Sequence, residues 1–450
     1  MKGKGLTLNR QILRLGVPST IATLSVPLIG IVDTALVGHL PEVAYLGAVA
    51  VASVIFDVLF WGFGFLRMGT TALTAQYIGA GDRRSCTQVL VQTCLIALVA
   101  VILVVLLKDL IADVGFGLAG GTEDVNLWGR RYFAIRILGA PLVLLTFSLT
   151  GFFRGAADAM NPMWLAIVVN VVNVAGDYLL IYGKFGAPAL GVMGAAWASV
   201  LAAFAGFLFG LFVLATRYRT YLVQLPDSLF DREKMRRLLA TNLNLFGRTA
   251  SLLFAQFFML SVVARMGEVS LAANAVVWQI WSLVSYSVDG FAHAAETLVG
   301  NYIGAKDFTT VRRVARRSLI WGVWLGVGYG IVYAVSIGHI GRAFTDHSEV
   351  SLVVASLLPW VAFIQPLNAA VFIFDGIFIG ANDTGYIFGA MALSTLGFFL
   401  PGILVCVYVL DYGLPGAWMG YNCLMIGRFV TLYPRYRGEK WLKSFVAESA

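Results

Sequence analysis

The sequence predicts an all-α polytopic membrane protein, with twelve transmembrane helices arranged as two parallel-repeat six-helix lobes. Three observations carry this expectation. The 450 residues are 59% hydrophobic and only 12% charged, with a mean hydropathy of +0.82, which a soluble domain could not pack without large exposed apolar patches. Apolar spans of about twenty residues or more, the length that crosses a bilayer, recur along the whole chain. The chain also repeats itself at an offset of 225 residues, half its length.

In the first half the spans fall near 15–38, 52–78, 87–107, 128–152, 162–182 and 190–215, and in the second near 240–264, 272–302, 316–337, 353–378, 385–409 and 414–433. Turn chemistry at Gly79–Asp82, Lys184–Pro188, Lys306–Asp307 and Asp411–Gly413 sets their limits. The apolar run that follows Met1–Arg14 is too long for a cleaved signal peptide and carries Asp33. Cys86, Cys94, Cys406 and Cys423 lack metal-ligand spacing and are expected to be free thiols in a helical bundle.

Most of the 32 lysines and arginines fall on one side of this alternation: near the N-terminus (Lys2, Lys4, Arg10, Arg14), at Arg83 and Arg84, at Arg154, across Arg217–Arg237, across Lys306–Arg317, and from Arg428 to Lys443. Both termini are therefore expected to be cytoplasmic, in a bacterial inner (plasma) membrane. The asymmetry accounts for the net charge of +8 without a nucleic-acid partner.

The repeat is read in two segments and in the matches of Leu46, Ala48, Ala50 and Val51 with Leu271, Ala273, Ala275 and Val276. Tyr77–Asp82 (Tyr-Ile-Gly-Ala-Gly-Asp) returns as Tyr302–Asp307 (Tyr-Ile-Gly-Ala-Lys-Asp), and Gly151–Asp158 returns as Gly376–Asp383. Six is an even number of crossings, so both copies share one orientation and relate by an axis along the membrane normal. The expected organisation is an N-terminal lobe over 1–216, a cytoplasmic linker over 217–237 and a C-terminal lobe over 238–450.

Where the copies disagree is in their intramembrane charges. Asp33, Asn173 and Asp177 correspond to Phe258, Phe398 and Gly402, while Asp289, Glu296 and Asp375 correspond to Gly64, Thr71 and Thr150. A carboxylate near mid-span is costly and marks a cavity or a partner, so Asp33 is expected to be a coupling group in a transporter. Asn173 and Asp177 are four apart on one helix and share a face. With Asp33 they offer oxygens that can take a proton or surround a hard cation such as sodium, or else serve as interhelical hydrogen-bond glue. Pro18 and Pro27 each remove a backbone donor from the first helix and are candidate hinges, or static kinks.

In the second half, Asp289 and Glu296 share a helical face, and Arg248 and Gln256 share another on the preceding helix. The economical reading is a buried network in which Arg248 neutralises Asp289 or Glu296, with Asp375 as the remaining candidate; these five residues are the substrate or gating candidates. Asp57 and Arg67 suggest a similar pair.

No phosphate-binding loop and no His-Glu-x-x-His or Gly-x-Ser-x-Gly motif occurs, so an ATP-driven pump and an intramembrane enzyme are disfavoured and an ion gradient is the expected drive. No catalytic residue, resident metal or cofactor is expected.

Val32–Leu40 (Val-Asp-Thr-Ala-Leu-Val-Gly-His-Leu), Phe65–Gln76, Asp289–Ala292 with Glu296, and Phe374–Gly376 with Ile379–Gly380 resemble the multidrug and toxic compound extrusion (MATE) transporters, most of all their DinF branch. The resemblance runs the whole chain. It implies a secondary active antiporter that exports bulky organic, drug-like compounds, expected to be cationic or amphipathic, in exchange for protons or sodium by alternating access. It also implies a hydroxyl at the coupling site, which falls on Ser199. At position 368, where relatives of another branch carry a second-lobe carboxylate, this chain has Asn368, which weakens the carry-over of a second-lobe cation site. A monomer in the lipid bilayer is expected. The rival function is a lipid-linked precursor flippase on the same two-lobed plan, which would be expected to line its cavity with several unpaired arginines for phosphate.

Overall fold

The computed structural model describes residues 7–223 and 231–442. Lys2, Lys4, Lys443 and residues 224–230 of the expected linker lie outside the described residues.

Nineteen α-helices and no strand occur among the described residues. The first half holds α1 (Leu8–Leu24), α2 (Val26–Val37), α3 (Val43–Gly62), α4 (Phe65–Ala80), α5 (Arg83–Leu106), α6 (Lys108–Ala119), α7 (Glu123–Arg136), α8 (Ala140–Gly155), α9 (Met160–Tyr182), α10 (Val192–Arg217) and the short α11 (Arg219–Val223). The second holds α12 (Arg232–Ala264), α13 (Glu268–Gly304), α14 (Phe308–Val335), α15 (Ile337–Phe344), α16 (Ser348–Gly380), α17 (Thr384–Leu393), α18 (Leu400–Leu404) and α19 (Gly413–Arg437).

These helices make the twelve crossings of the predicted fold. Eleven stretches among the described residues are long and apolar enough to span a membrane, three of them from helices joined through a short break: Leu8–Val37, Ala44–Ala80 and Glu123–Gly155. Another, Thr384–Val409, runs from α17 through α18 with two π-helical turns, at Ser394–Phe399 and Val405–Val409. The twelfth crossing, α19, is 25 residues long. Its hydropathy is diluted by glycines, tyrosines and Arg428, of which Gly416, Gly420, Tyr421, Gly427 and Arg428 are buried.

The chain divides into two compact units, Ile21–Asn242 and Met1–Thr20 with Leu243–Ala450. Both divisions fall inside helices, within α1 and within α12. The start of α1 is seated in the second unit: Thr20 Oγ1 donates to the Ser287 carbonyl at 3.0 Å, and Tyr302 OH donates to Gln11 Oε1 at 3.0 Å. The start of α12 is seated in the first: Lys234 Nζ donates to Ser85 Oγ at 2.8 Å and to Gln88 Oε1 at 3.0 Å.

The repeated segments are repeated backbone geometry. Gly151 and Gly155 let α8 lie on α4, since a Cβ on Gly151 would stand 2.6 Å from the Arg67 carbonyl oxygen. Gly376 and Gly380 do the same for α16 on α13, where a Cβ would stand 2.2 Å from the Ala292 oxygen and 2.3 Å from the Glu296 oxygen. Small residues four apart permit such close crossings in lipid. The turns that follow repeat a left-handed residue, Ala157 (φ 56°) matching Asn382 (φ 57°), and Gly81 (φ 78°) matching Lys306 (φ 58°). Asp82 and Asp307 then cap the next helices, accepting from the backbone N–H of Ser85 and of Thr310, each at 3.0 Å.

Candidate functional site

The first helix is continuous through Pro18 and interrupted at Ser25, two residues before Pro27. Pro27 cannot donate to the carbonyl four residues back, which loosens the ladder at this point. Ser25 Oγ instead donates to the Ala22 carbonyl at 2.8 Å. The second piece of the helix, α2, then carries Asp33 inward.

Asp33 is 1% exposed, and Asn173 and Asp177 on α9 are fully buried. The carboxyls of Asp33 and Asp177 face each other, with the Asn173 side chain beside Asp33. Packing holds α9 in this register: Tyr182 OH donates to the Leu36 carbonyl at 2.7 Å, tying α9 to α2. Gly176 and Gly194 bring α10 against α9, a Cβ on Gly194 standing 2.5 Å from the Leu180 oxygen. The four carboxylate oxygens, both ends of the Asn173 amide and the Ser199 hydroxyl have no hydrogen-bond partner among the described residues.

Among the described residues, a cation stands in this neighbourhood. Arg136 on α7 donates to Ser53 Oγ at 3.2 Å and to Tyr132 OH at 3.1 Å, and lies over the Phe56 ring at 4.7 Å. Its charge reaches Asp33, Asp57 and Asp177, but it forms no ion pair with them among the described residues. Ser199 on α10 lies beside the Tyr132 phenol. The pocket borders an apolar cluster that includes Val37, Phe56, Tyr132, Phe133 and Ile181, so water is a poor competitor for its oxygens.

The second unit has a cluster of the opposite character. Arg248 on α12 and Arg428 on α19 both donate to Asp375 Oδ2 on α16, Arg428 at 2.5 Å. Arg428 is 1% exposed and lies over the Phe372 ring at 5.5 Å; Asp289 contributes to the field around it. Gln256 reaches Tyr421, which packs edge-on to Trp281 and Trp278.

The MatE family model matches residues 18–179 and again residues 246–405, once in each half of the chain. The chain belongs to the MATE family. It is 33% identical to the DNA damage-inducible protein F of Escherichia coli over 395 residues, covering 87% of this chain and 85% of that one. It is 28% identical to the probable multidrug resistance protein NorM of Thermotoga maritima, covering 98% and 94% of the two chains. Among solved structures it superposes on a MATE protein in the bent conformation with a TM-score of 0.87 at 21% identity, covering 96% of each chain. Proteins of this family are transporters of small molecules, not enzymes. No group of three or more His, Cys, Asp or Glu that could hold a metal occurs among the described residues.

In this MATE transporter three expectations from sequence are corrected. Arg248 is not held by Asp289 or Glu296; it shares Asp375 with Arg428, while Glu296 Oε2 stands 3.1 Å from His293 Nδ1 on its own helix. Arg428 is not a cytoplasmic-loop cation: it points into the packed side of α19. Asp57 faces the charge of Arg136 rather than pairing with Arg67. Asn368 donates to Gln365 Oε1 at 3.3 Å, one turn away on α16. The residues that sequence reasoning missed, Tyr132 and Arg428, were legible as polar groups inside spans. The four-residue spacing of Tyr132 and Arg136 was a further signal.

Proposed function

We propose that this MATE transporter exports bulky organic compounds, cationic or amphipathic, in exchange for protons, or for sodium, by alternating access. One observation carries the reading: two facing carboxyls, Asp33 and Asp177, are buried with their oxygens unpartnered, next to the free amide of Asn173. Two ionised carboxylates in such a place repel each other and lose hydration, and a shared proton or a bound hard cation relieves both costs. The pocket therefore favours one mobile positive charge. Arg136 supplies a fixed one, so release of the ion leaves a tolerable charge balance. Ser199, beside Tyr132, is the outermost member of the set.

Conformational coupling follows from where Asp33 sits. It lies on α2, two helical turns beyond the interruption at Ser25 and Pro27, so a change in how strongly the pocket holds Asp33 biases the bend of the first helix. The halves 1–216 and 238–450 act as the two moving lobes, joined by 217–237. The second-lobe residues Arg248, Asp289, Glu296, Asp375 and Gln256 shape the substrate path. The protein works as a monomer in a bacterial inner membrane with both termini cytoplasmic. Precursor flipping is disfavoured because the intramembrane arginines Arg248 and Arg428 are engaged by Asp375 and Arg136 faces acids, so these three do not offer a cavity phosphate a free guanidinium cluster.

The test is efflux of a fluorescent organic cation from proteoliposomes under a pH gradient and under a sodium gradient imposed separately. Wild-type protein responds to one of them, and Asp33→Asn and Asp177→Asn respond to neither while still binding the dye. Full gradient-driven efflux by purified Asp33→Asn protein sinks the reading.

A further inference from the structure

A groove of 740 Å³ opens between α14 and α19, at the end of those helices that carries their arginines. Arg316 and Arg437 stand at its mouth, and Ile320, Trp324, Tyr433 and Tyr436 are among the residues that wall it. Ile320, Trp324 and Tyr433 are exposed, so the lower groove is an apolar surface turned toward the bilayer. The mouth is aromatic and cationic.

Two neighbouring arginines, Arg312 and Arg435, are already engaged by carboxylates. Arg312 donates to Glu439 at 2.6 Å, and Arg435 to Asp383 at 2.8 Å and 3.1 Å. Arg316 and Arg437 have no carboxylate partner among the described residues. Arg437 leans on the phenol of Tyr433, donating to it at 3.4 Å with its guanidinium 5.9 Å from the ring, and the charge of Arg316 reaches Tyr436. The wall itself is firm: Tyr436 is wedged between Phe374, 5.3 Å away, and the stacked Trp441, whose indole donates to the Tyr436 carbonyl at 2.9 Å.

We propose that this groove binds one anionic phospholipid of the adjoining leaflet, its phosphodiester between Arg316 and Arg437 and its acyl chains along Ile320 and Trp324. Length supports the fit, since Arg316 and Trp324 are eight residues apart on one helix, about 12 Å along its axis. That is close to the depth of the hydrocarbon half-leaflet below a headgroup, about 15 Å. Charge selects the headgroup: basic pockets between transmembrane helices favour anionic lipids, each arginine near the surface contributing about fivefold in affinity. A soluble phosphate would gain nothing from the apolar walls.

Native mass spectrometry of the detergent-purified protein, titrated with phosphatidylglycerol or with phosphatidylcholine of matched chains, tests this. Wild-type protein should retain one phosphatidylglycerol in preference to phosphatidylcholine. Arg316→Gln with Arg437→Gln should lower that retention by roughly 25-fold, whereas Arg312→Gln with Arg313→Gln, with the same charge change on the same surface, should leave it within about twofold. Trp324→Ala should weaken phosphatidylglycerol retention without restoring phosphatidylcholine. Equal retention of the two lipids by wild-type protein overturns the proposal without any variant. So does an equal loss in the two double variants, or displacement of the lipid by millimolar inorganic phosphate alone.

Discussion

The two lobes carry their buried charges with opposite polarity. In the first, two carboxyls face each other and the nearest cation, Arg136, is held off by Ser53 and Tyr132. In the second, two arginines converge on one carboxylate oxygen of Asp375. The glycines at 151 and 376 and the capping aspartates at 82 and 307 show how closely the backbones still agree. Duplication thus preserved what lets helices approach and turns close, while the polar interior was free to specialise. A pocket short of positive charge can exchange an ion, whereas a pocket whose charges are already bonded resists exchange and resembles a structural clamp.

The largest expected effect tests the exchanging side. Asp33→Asn should reduce gradient-driven dye efflux to the level of protein-free liposomes, and Asp375→Asn should leave measurable coupling in whatever fraction of protein remains folded. If the second substitution abolishes coupling in well-folded protein while the first does not, the assignment of roles to the lobes is reversed.

Stability in detergent tests the clamp. Asp375→Asn leaves two buried guanidiniums without their carboxylate, and loss of one member of a buried ionic group costs about 3–5 kcal/mol. Arg428→Met leaves Asp375 still bonded to Arg248 and should cost less. The double variant Asp375→Asn with Arg428→Met should be more stable than the sum of the single losses allows, read as a melting temperature above the additive value. Strict additivity would dissolve the clamp.

How much of this was readable beforehand differs between lobes for a physical reason. The twelve crossings, the repeat and the trio Asp33, Asn173 and Asp177 are carried by local signals: apolar run length, turn residues, and four-residue spacing on one helix. The clamp is not local. Arg248, Asp375 and Arg428 come from three helices separated by 127 and 53 residues, and no spacing rule connects them. Counting basic residues placed Arg428 with the loop cations that follow it, because a single arginine near the end of a span looks the same whether it points outward or inward. Likewise, Pro18 and Pro27 are equivalent candidates for a hinge or kink by sequence, but Pro18 is accommodated within a continuous α1 and the interruption comes at Ser25, beside Pro27.

Where the lobes agree, the same substitution should cost the same on both sides. Gly151→Ala and Gly376→Ala each drive a Cβ onto a backbone carbonyl oxygen, at 2.6 Å and 2.2 Å, and overpacking of this kind typically costs about 1–3 kcal/mol. Gly389→Ala, within α17 and with nothing inside 4 Å, should be neutral or slightly stabilising. Thermal melts of the three variants would break the equivalence if only one of the first two were destabilised.

The smallest effect sharpens the comparison at the matched caps. Asp307 accepts from Thr310, whose hydroxyl and backbone N–H hold its carboxyl below the usual carboxylate range. A folded-state value that is depressed means the cap adds stability above the unfolded pKa of about 4 and loses it as pH falls through the lower folded value. Asp307→Ala should therefore cost about 1 kcal/mol at neutral pH, toward the low end of cap losses because the site is exposed and salt screens it, and the gap from wild type should narrow below about pH 4. Asp82→Ala removes the equivalent cap, but there Ser85, which donates to Asp82 through both its backbone N–H and its hydroxyl, also receives Lys234 at 2.8 Å. Its loss should loosen the start of α12 as well, read as faster hydrogen exchange over Arg232–Asn242, a change that Asp307→Ala should not produce there. Equal exchange at that segment in the two variants would mean the caps do nothing beyond ending their own turns.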